Sequence, residues 1–419
     1  MKKIIYILLD GVGDRPIPQL NGLTPLEAAK TPGMDKLAER SVCGMVQTVG
    51  KGIAPESDIA VFHMLGYNLH ENYFGRGVIE AIGAEMNFST GDVAMRGNFA
   101  TVSDDFTILD RRAGRDLSQE EGDELAKEVC EHVSISDLGA SFEFVHTTGH
   151  RGVLVIHKEN KLSASITNTD PAYQRLGTIG VAVKTKSGSR ISECRPVVDT
   201  EQSRITAQLV NAFTLRAYKV LRGSRVNAKR ISQGKKPANI ILLRDAGDTY
   251  PKIETLHEKF KLSFAAIVDM PVELGISKLT GFDVIRSSSQ KNFREKVEKT
   301  VSALVDHDVV YIHLKGPDEP GHDGLWKDKV EIIEQIDSEY FSPLLDKVDF
   351  ENIIFAISAD HATPCSLEAH SDDPVPLIIA NSSFGKDGCR RFTEKDGSKG
   401  SLGILKGEDV LTKVIDGAR

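Results

Sequence analysis

Six short apolar runs limit what this chain can fold into: "IIYILL" (4–9), "NIILL" (239–243), "FAAIV" (264–268), "VVYIHL" (309–314), "IIFAISA" (353–359) and "VPLIIA" (375–380). Most do not alternate polar with apolar residues, so neither face can be left in water. Strands of that kind belong in a sheet covered on both sides. Between the runs the apolar period changes. Phe293, Val297, Val301 and Leu304 recur at helical spacing, as do Val330, Ile333, Ile336, Tyr340 and Leu344. Strand alternating with helix predicts an α/β fold with a mostly parallel sheet flanked by helices.

A chain of 419 residues is longer than one core usually supports. From about residue 81 to 238 the apolar runs shorten, arginines accumulate and turns such as "STGD" interrupt. This stretch is expected to form a smaller α+β domain (81–238) inserted between two pieces of the sheet domain (1–80 and 239–419), with the polar "SQGKKPAN" (232–239) as the return hinge.

Charge narrows the choice of partner. There are 52 Lys and Arg against 60 Asp and Glu, a net charge of -8, and no basic block that could neutralise a run of phosphates. Nucleic acid is not an expected partner. The start "MKKIIYILLD" mimics a signal peptide, but its apolar run is short and ends on Asp10, so it reads as a strand. No segment approaches the roughly 18 uninterrupted apolar residues of a membrane helix. Five cysteines, an odd number without CxxC spacing, suit a reduced cytoplasmic protein, with Cys365 of "DHATPCSLEAH" expected to serve packing.

In open parallel sheets, sites form beyond the carboxyl ends of the strands. Asp10 directly follows the first run. Asp318 and His322 follow "VVYIHL" on the turn "KGPDEPGHDG" (315–324). Asp360 and His361 follow "IIFAISA", and His370 comes nine residues later. A single aspartate at a strand end reads as a cap or turn residue. Three such ends would crowd like charges without a counter-ion, and divalent cations resolve that repulsion. Mixed Asp and His ligation suits manganese or zinc, with magnesium at a more carboxylate-rich position, and the number of ligands fits two ions. "GKGIAPESDIAVFHMLG" (50–66) runs from a Gly-rich loop into a helical pattern and puts Ser57 at a helix N-terminus, where amides favour a phosphate. Ser57 reads as a cap, and also as a nucleophile that metal coordination could activate.

Together "LLDGVGD", "TPLEAAKTPGMDKLA", "APESDIAVFHMLGY", "GRGVIEAIGA", "DRRAGR", "HLKGPDEPGHDG" and "SADHATPCSLEAHSDDPVP" resemble the archaeal-type 2,3-bisphosphoglycerate-independent phosphoglycerate mutases of the alkaline phosphatase superfamily. The resemblance implies an alkaline-phosphatase-like core domain and interconversion of 3-phosphoglycerate and 2-phosphoglycerate in glycolysis and gluconeogenesis. It implies Ser57 as the phosphorylated nucleophile, one metal on Asp318, His322 and His370, and the other on Asp10, Ser57, Asp360 and His361. Lys315 would contact phosphate. Two divalent ions are implied, Mn2+ first, with Mg2+, Zn2+ or Co2+ as alternatives, and no 2,3-bisphosphoglycerate.

A substrate carrying a carboxylate and a phosphate calls for arginine, whose fork binds either group in bidentate fashion. Candidates are Arg111, Arg112 and Arg115 of "LDRRAGR", His150 and Arg151 of "TTGHRGVLVI", Arg244, and Asp170 of "NTDP" for a substrate hydroxyl or a turn. The family pattern usually has Gly after the arginine of "LLR", where this chain has Asp245. Two rivals share these residues. One is a phosphatase or phosphodiesterase of the same superfamily, in which water accepts the phosphoryl group; the other is a non-catalytic sensor of phosphorylated metabolites.

Overall fold

The structure, a computed structural model, describes residues 2–68, 73–176, 179–182 and 188–419. The strands among them are, in chain order, β1 (Lys3–Leu9), β2 (Ser41–Gln47), β3 (Val93–Val102), β4 (Ile108–Asp110), β5 (Ser141–His146), β6 (Arg151–His157), β7 (Tyr173–Leu176), β8 (Ile179–Ala182), β9 (Ile240–Gly247), β10 (Phe264–Ile267), β11 (Asp283–Ile285), β12 (Val309–Leu314), β13 (Ile353–Ala359), β14 (Val375–Ala380) and β15 (Ile404–Lys406). They fall into two compact units. The first comprises Met1–His70, Glu254–Glu273 and Ser277–Arg419, and the second Glu71–Ile253 with Leu274–Ile276.

The first unit holds an eight-stranded sheet in the order β11-β10-β12-β1-β13-β14-β2-β15. Only β14 runs against its neighbours; every other pairing is parallel. Each residue of β12, β13 and β14 is buried, as runs without alternation require. Truncating Ile7 or Ile357 to Ala in this core would cost about 2–5 kcal/mol. Register then places the site. β1 lies between β12 and β13, with Leu9 beside Leu314 on one side and beside Ala359 on the other. All three strands end at one level, so Asp10, Lys315 and Asp360 leave the sheet along the same edge.

The periodic segments form helices. Phe293–Asp306 begins at Asn292, whose side chain accepts the Glu295 N–H. Trp326–Ile336 continues through a π turn at Asp337–Phe341 into Ser342–Lys347, burying Ile333, Ile336, Tyr340 and Leu344. None of the helices among the described residues is long and apolar enough to cross a membrane.

The second unit is built on β3, all ten residues of which are buried. It pairs antiparallel with β4, β6 and β9. Helices Gln119–His132 and Glu201–Arg222 supply Leu125, Val129, Val210 and Phe213 to a core shared with Phe99 and Phe144. One reading of the sequence needs correction here. The run 239–243, expected in the large parallel sheet, lies mostly in β9 of this second sheet. Both sheets bury both faces of such a strand, so its apolar pattern carried no information about which partner it would take.

Candidate active site

Asp10 and Asp360 emerge from β1 and β13 with the chain turning sharply after each. Gly11 has φ +59°, and a Cβ there would come within 2.6 Å of Thr363 Oγ1 and 2.7 Å of Asp318 Oδ1. Only glycine lets the first loop pass so close to the other two. Its N–H donates to Asp360 Oδ1 (3.1 Å). Asp10 Oδ1 and Asp360 Oδ2 are buried and accept no hydrogen bond. His361 directs Nε2 at both, 3.7 and 3.4 Å away, while its Nδ1 meets Thr363 Oγ1 at 3.1 Å.

Ser57 completes this group, its Oγ 3.0 Å from His361 Nε2. It is the first residue of helix Ser57–Met64, and Glu56 occupies the capping position. The cap reading of Ser57 is thereby corrected, since a hydroxyl inside the first turn is not spent on the helix amides and can face the acidic cluster.

The turn after β12 delivers a second group. Gly316, at φ +146°, lets the chain double back, and Asp318–His322 forms one helical turn that sets Asp318 and His322 four residues apart on one face. His370 Nε2 lies 3.4 Å from Asp318 Oδ1, and His322 Nε2 lies 3.5 Å from Asp318 Oδ2 and 3.0 Å from His370 Nε2. Two ring nitrogens that close need a proton or a cation between them. His370 Nδ1–H donates to the Pro55 carbonyl (2.7 Å) and Thr363 Oγ1–H donates to Asp318 Oδ1 (2.7 Å), fixing both side chains.

One ligand atom each from Asp10, Asp360 and His361, and from Asp318, His361 and His370, lies within 4.8 Å of the others in its set. Burial pushes Asp10 up to about 7 despite Lys315. Burial would raise Asp360 too, but His361, His313 and Lys315 outweigh it and hold that carboxylate well below its ordinary range. Buried carboxylate oxygens lacking partners, crowded by like charge and joined by imidazole, are a donor set that fits divalent cations.

Three basic or acidic groups at this edge escaped the reading of the sequence. His313 and Glu273 flank Lys315, whose Nζ lies 3.1 Å from Asp10 Oδ2 and 2.8 Å from Glu273 Oε1. His313 lies inside an apolar run, and an imidazole in such a run was the available signal. The third, Lys329, has no exposure and donates to the Gly13 carbonyl (3.2 Å), the Thr363 carbonyl (2.9 Å) and Asp14 Oδ2 (2.9 Å). It ties together the loops that follow Asp10 and Asp360. Its place four residues before Ile333, on the buried stripe of its helix, was the clue.

The arginines belong to the second unit. Arg111 grips Asp170 with two bonds, Nε to Oδ1 (3.1 Å) and Nη2 to Oδ2 (2.6 Å), and Arg244 Nη1 reaches the same carboxylate at 3.3 Å. Asp170 thus orients two guanidinium groups, both over the Tyr173 ring at 5.2 and 4.2 Å. Asp245, at φ +58°, takes Arg244 Nε (3.3 Å) and Arg96 Nη1 (3.4 Å). The left-handed backbone at this position is one that glycine adopts without strain and most other residues resist. Glu80 Oε1 takes Arg76 Nε (3.0 Å) and Arg96 Nε (2.9 Å). Arg76, Arg96 and Glu80 were not anticipated, although Arg96 interrupts the otherwise apolar start of β3. Burial, then Arg151, Arg244, Arg96 and Arg115, push His150 down to about 3, so its imidazole is uncharged. Arg112 gives its backbone N–H to Asp110 Oδ1 (2.8 Å).

Comparison with known proteins connects this geometry to a lineage. The family model described as 2,3-bisphosphoglycerate-independent phosphoglycerate mutase matches residues 38–227. A protein of that name from Aeropyrum pernix is 43% identical, with 99% of each chain covered. Among solved structures, a Pyrococcus horikoshii protein has a TM-score of 0.79 at 32% identity, covering 100% of this chain and 97% of its own. The cofactor-independent phosphoglycerate mutase of Thermoplasma acidophilum has a TM-score of 0.63 at 31% identity, with both chains covered in full. Likeness of that extent, running through both units and all three strand ends, makes this chain a member of the 2,3-bisphosphoglycerate-independent phosphoglycerate mutase family.

Proposed function

We propose that the protein interconverts 3-phosphoglycerate and 2-phosphoglycerate through a phosphoserine at Ser57, in the glycolysis and gluconeogenesis of the cytoplasm, without 2,3-bisphosphoglycerate. The observation that carries this reading is the Ser57 hydroxyl standing 3.0 Å from His361, whose ring faces two buried carboxylate oxygens, Asp10 Oδ1 and Asp360 Oδ2, that accept no hydrogen bond. Asp10, Ser57, Asp360 and His361 would hold one divalent ion and Asp318, His322 and His370 the other, with Mn2+ the first choice. When bound, such ions supply activation of the serine hydroxyl and neutralisation of phosphoryl oxygens.

Ser57 Oγ gives up its proton and attacks phosphorus in line, the bond from phosphorus to the glycerate oxygen breaks, and that oxygen takes up a proton in exchange for the one Ser57 released. Lys315 offers its ammonium to the phosphoryl oxygens. Glycerate is then kept while it turns, and its other hydroxyl attacks the phosphoserine, restoring Ser57. We assign retention to the second unit. There Arg76, Arg96, Arg111 and Arg244 pair with Glu80, Asp170 and Asp245, while Arg115 and Arg151 add positive charge around His150, a setting matched to a small, highly charged anion. Asp170 is a positioning group for Arg111 and Arg244, since both its oxygens are already engaged.

The test is product analysis. With 3-phosphoglycerate, Mn2+ and no bisphosphoglycerate, 2-phosphoglycerate should form with little inorganic phosphate released. Phosphate as the main product would favour the hydrolase. Binding of 3-phosphoglycerate without any product would favour the sensor.

A further inference from the structure

We infer that Glu273 is a positioning residue for the cation group of Asp10, Asp360 and His361, acting through Lys315 and His313. This rests on reading that group as a divalent cation site. Glu273 is the third residue of helix Pro271–Thr280 and is 3% exposed. Its two oxygens do different work. Oε2 accepts the backbone N–H groups of Asp269 (3.3 Å) and Met270 (3.2 Å), just ahead of the first helical turn, and so fixes the side chain. Oε1 consequently points at the sheet edge, 2.8 Å from Lys315 Nζ and 2.9 Å from His313 Nδ1.

Both basic groups lead on to the cation group. Lys315 Nζ is 3.1 Å from Asp10 Oδ2, and His313 Nε2 is 3.4 Å from Asp360 Oδ2 and 3.9 Å from Asp10 Oδ1. Glu273 Oε1 and both ring nitrogens of His313 are buried and close no aligned hydrogen bond, so these contacts act through charge and shape. An ammonium beside Asp10 competes with any cation for that carboxylate. Glu273 gives the ammonium a second anionic partner and keeps it on the Oδ2 side, leaving Asp10 Oδ1 free to face the ion. Without Glu273, Lys315 would lean on Asp10 alone, and His313 would lose the group that sets its ring against Asp360.

The test uses the full-length protein and Mn2+ as the probe. Calorimetric titration without substrate should give two sites in the wild type. In Glu273→Gln the amide oxygen can still accept from Asp269 and Met270, but an NH2 group faces Lys315 and His313. We expect the dissociation constant of one ion to rise about 10–100-fold and the other to stay within about twofold, with the metal-stripped variant still unfolding in one cooperative transition though at a lower midpoint than wild type, since Lys315 loses its second anionic partner. Glu273→Asp should recover part of the loss, and His313→Gln, which leaves the helix cap intact, should weaken the same ion should Glu273→Gln fail to fold. Two sites of wild-type affinity in a folded Glu273→Gln overturn the inference alone, as do two such sites in His313→Gln if Glu273→Gln does not fold. A wild type that binds no Mn2+ overturns the cation-site reading beneath it.

Discussion

Ser57 Oγ and His361 Nε2 stand 3.0 Å apart although 304 residues separate them in the chain. The contact joins the first turn of a helix to the loop after β13, and so brings the proposed nucleophile to two of the proposed metal ligands. Ser57→Ala should therefore keep its fold and unfolding midpoint while losing phosphotransfer by on the order of 10^4-fold or more. Mass spectrometry of substrate-treated wild type should find the phosphoryl group on Ser57. Substantial turnover by the alanine variant would remove Ser57 from its role.

Cation removal should cost stability as well as activity. Asp10, Asp318 and Asp360 crowd one another in the protein alone, and an ion that binds only the folded chain stabilises it by mass action. At Mn2+ 100-fold above its dissociation constant the gain is about 2.7 kcal/mol per site. Thermal unfolding of chelator-stripped protein should shift upward on adding Mn2+. A midpoint indifferent to Mn2+ would speak against the proposed metal sites.

Lys329 and Asp14 form an ion pair at 2.9 Å, both side chains without exposure. Lys329→Met fills the space but leaves the Asp14 charge unmatched, at a cost of about 3–5 kcal/mol in urea unfolding. Adding Asp14→Asn should return part of that loss. If the two single costs simply summed in the double variant, the pair would not be coupled.

His150 gives a pH dependence with a definite sign. Burial, with Arg151, Arg244, Arg96 and Arg115, holds its imidazole down to about 3 against an ordinary 6.5. Its contribution to stability is therefore complete above about pH 6.5 and is lost as pH falls toward 3, because only the unfolded chain gains the proton. Between pH 7 and 5, wild type should lose about 1–2 kcal/mol more than His150→Gln. An NMR titration showing His150 protonated at pH 6 would contradict this.

Much of the first unit was legible because its strands are buried on both faces and Asp10 and Asp360 sit one residue past the ends of β1 and β13. Asp10, Asp360 and His361 could be read from adjacency alone. Which strands would neighbour one another could not, and so the run 239–243 was placed in the wrong sheet. Groups that act through others were also hidden. Glu273 accepts the amides of Asp269 and Met270 at the start of its helix, a local role, while its other oxygen has a partner 42 positions further on. In the second unit the arginine-bearing segments were visible, but Glu80 and Asp245, which pair with Arg76, Arg96 and Arg244, become meaningful only when β3 meets β9.

The level endings of β1, β12 and β13 have an evolutionary corollary. Deleting one residue inside any of the three would draw Asp10, Lys315 or Asp360 back by about 3.3 Å and turn its side chain to the opposite face of the sheet. Length variation among relatives should consequently fall in the connections, with these strands keeping an invariant count of residues up to the acidic edge.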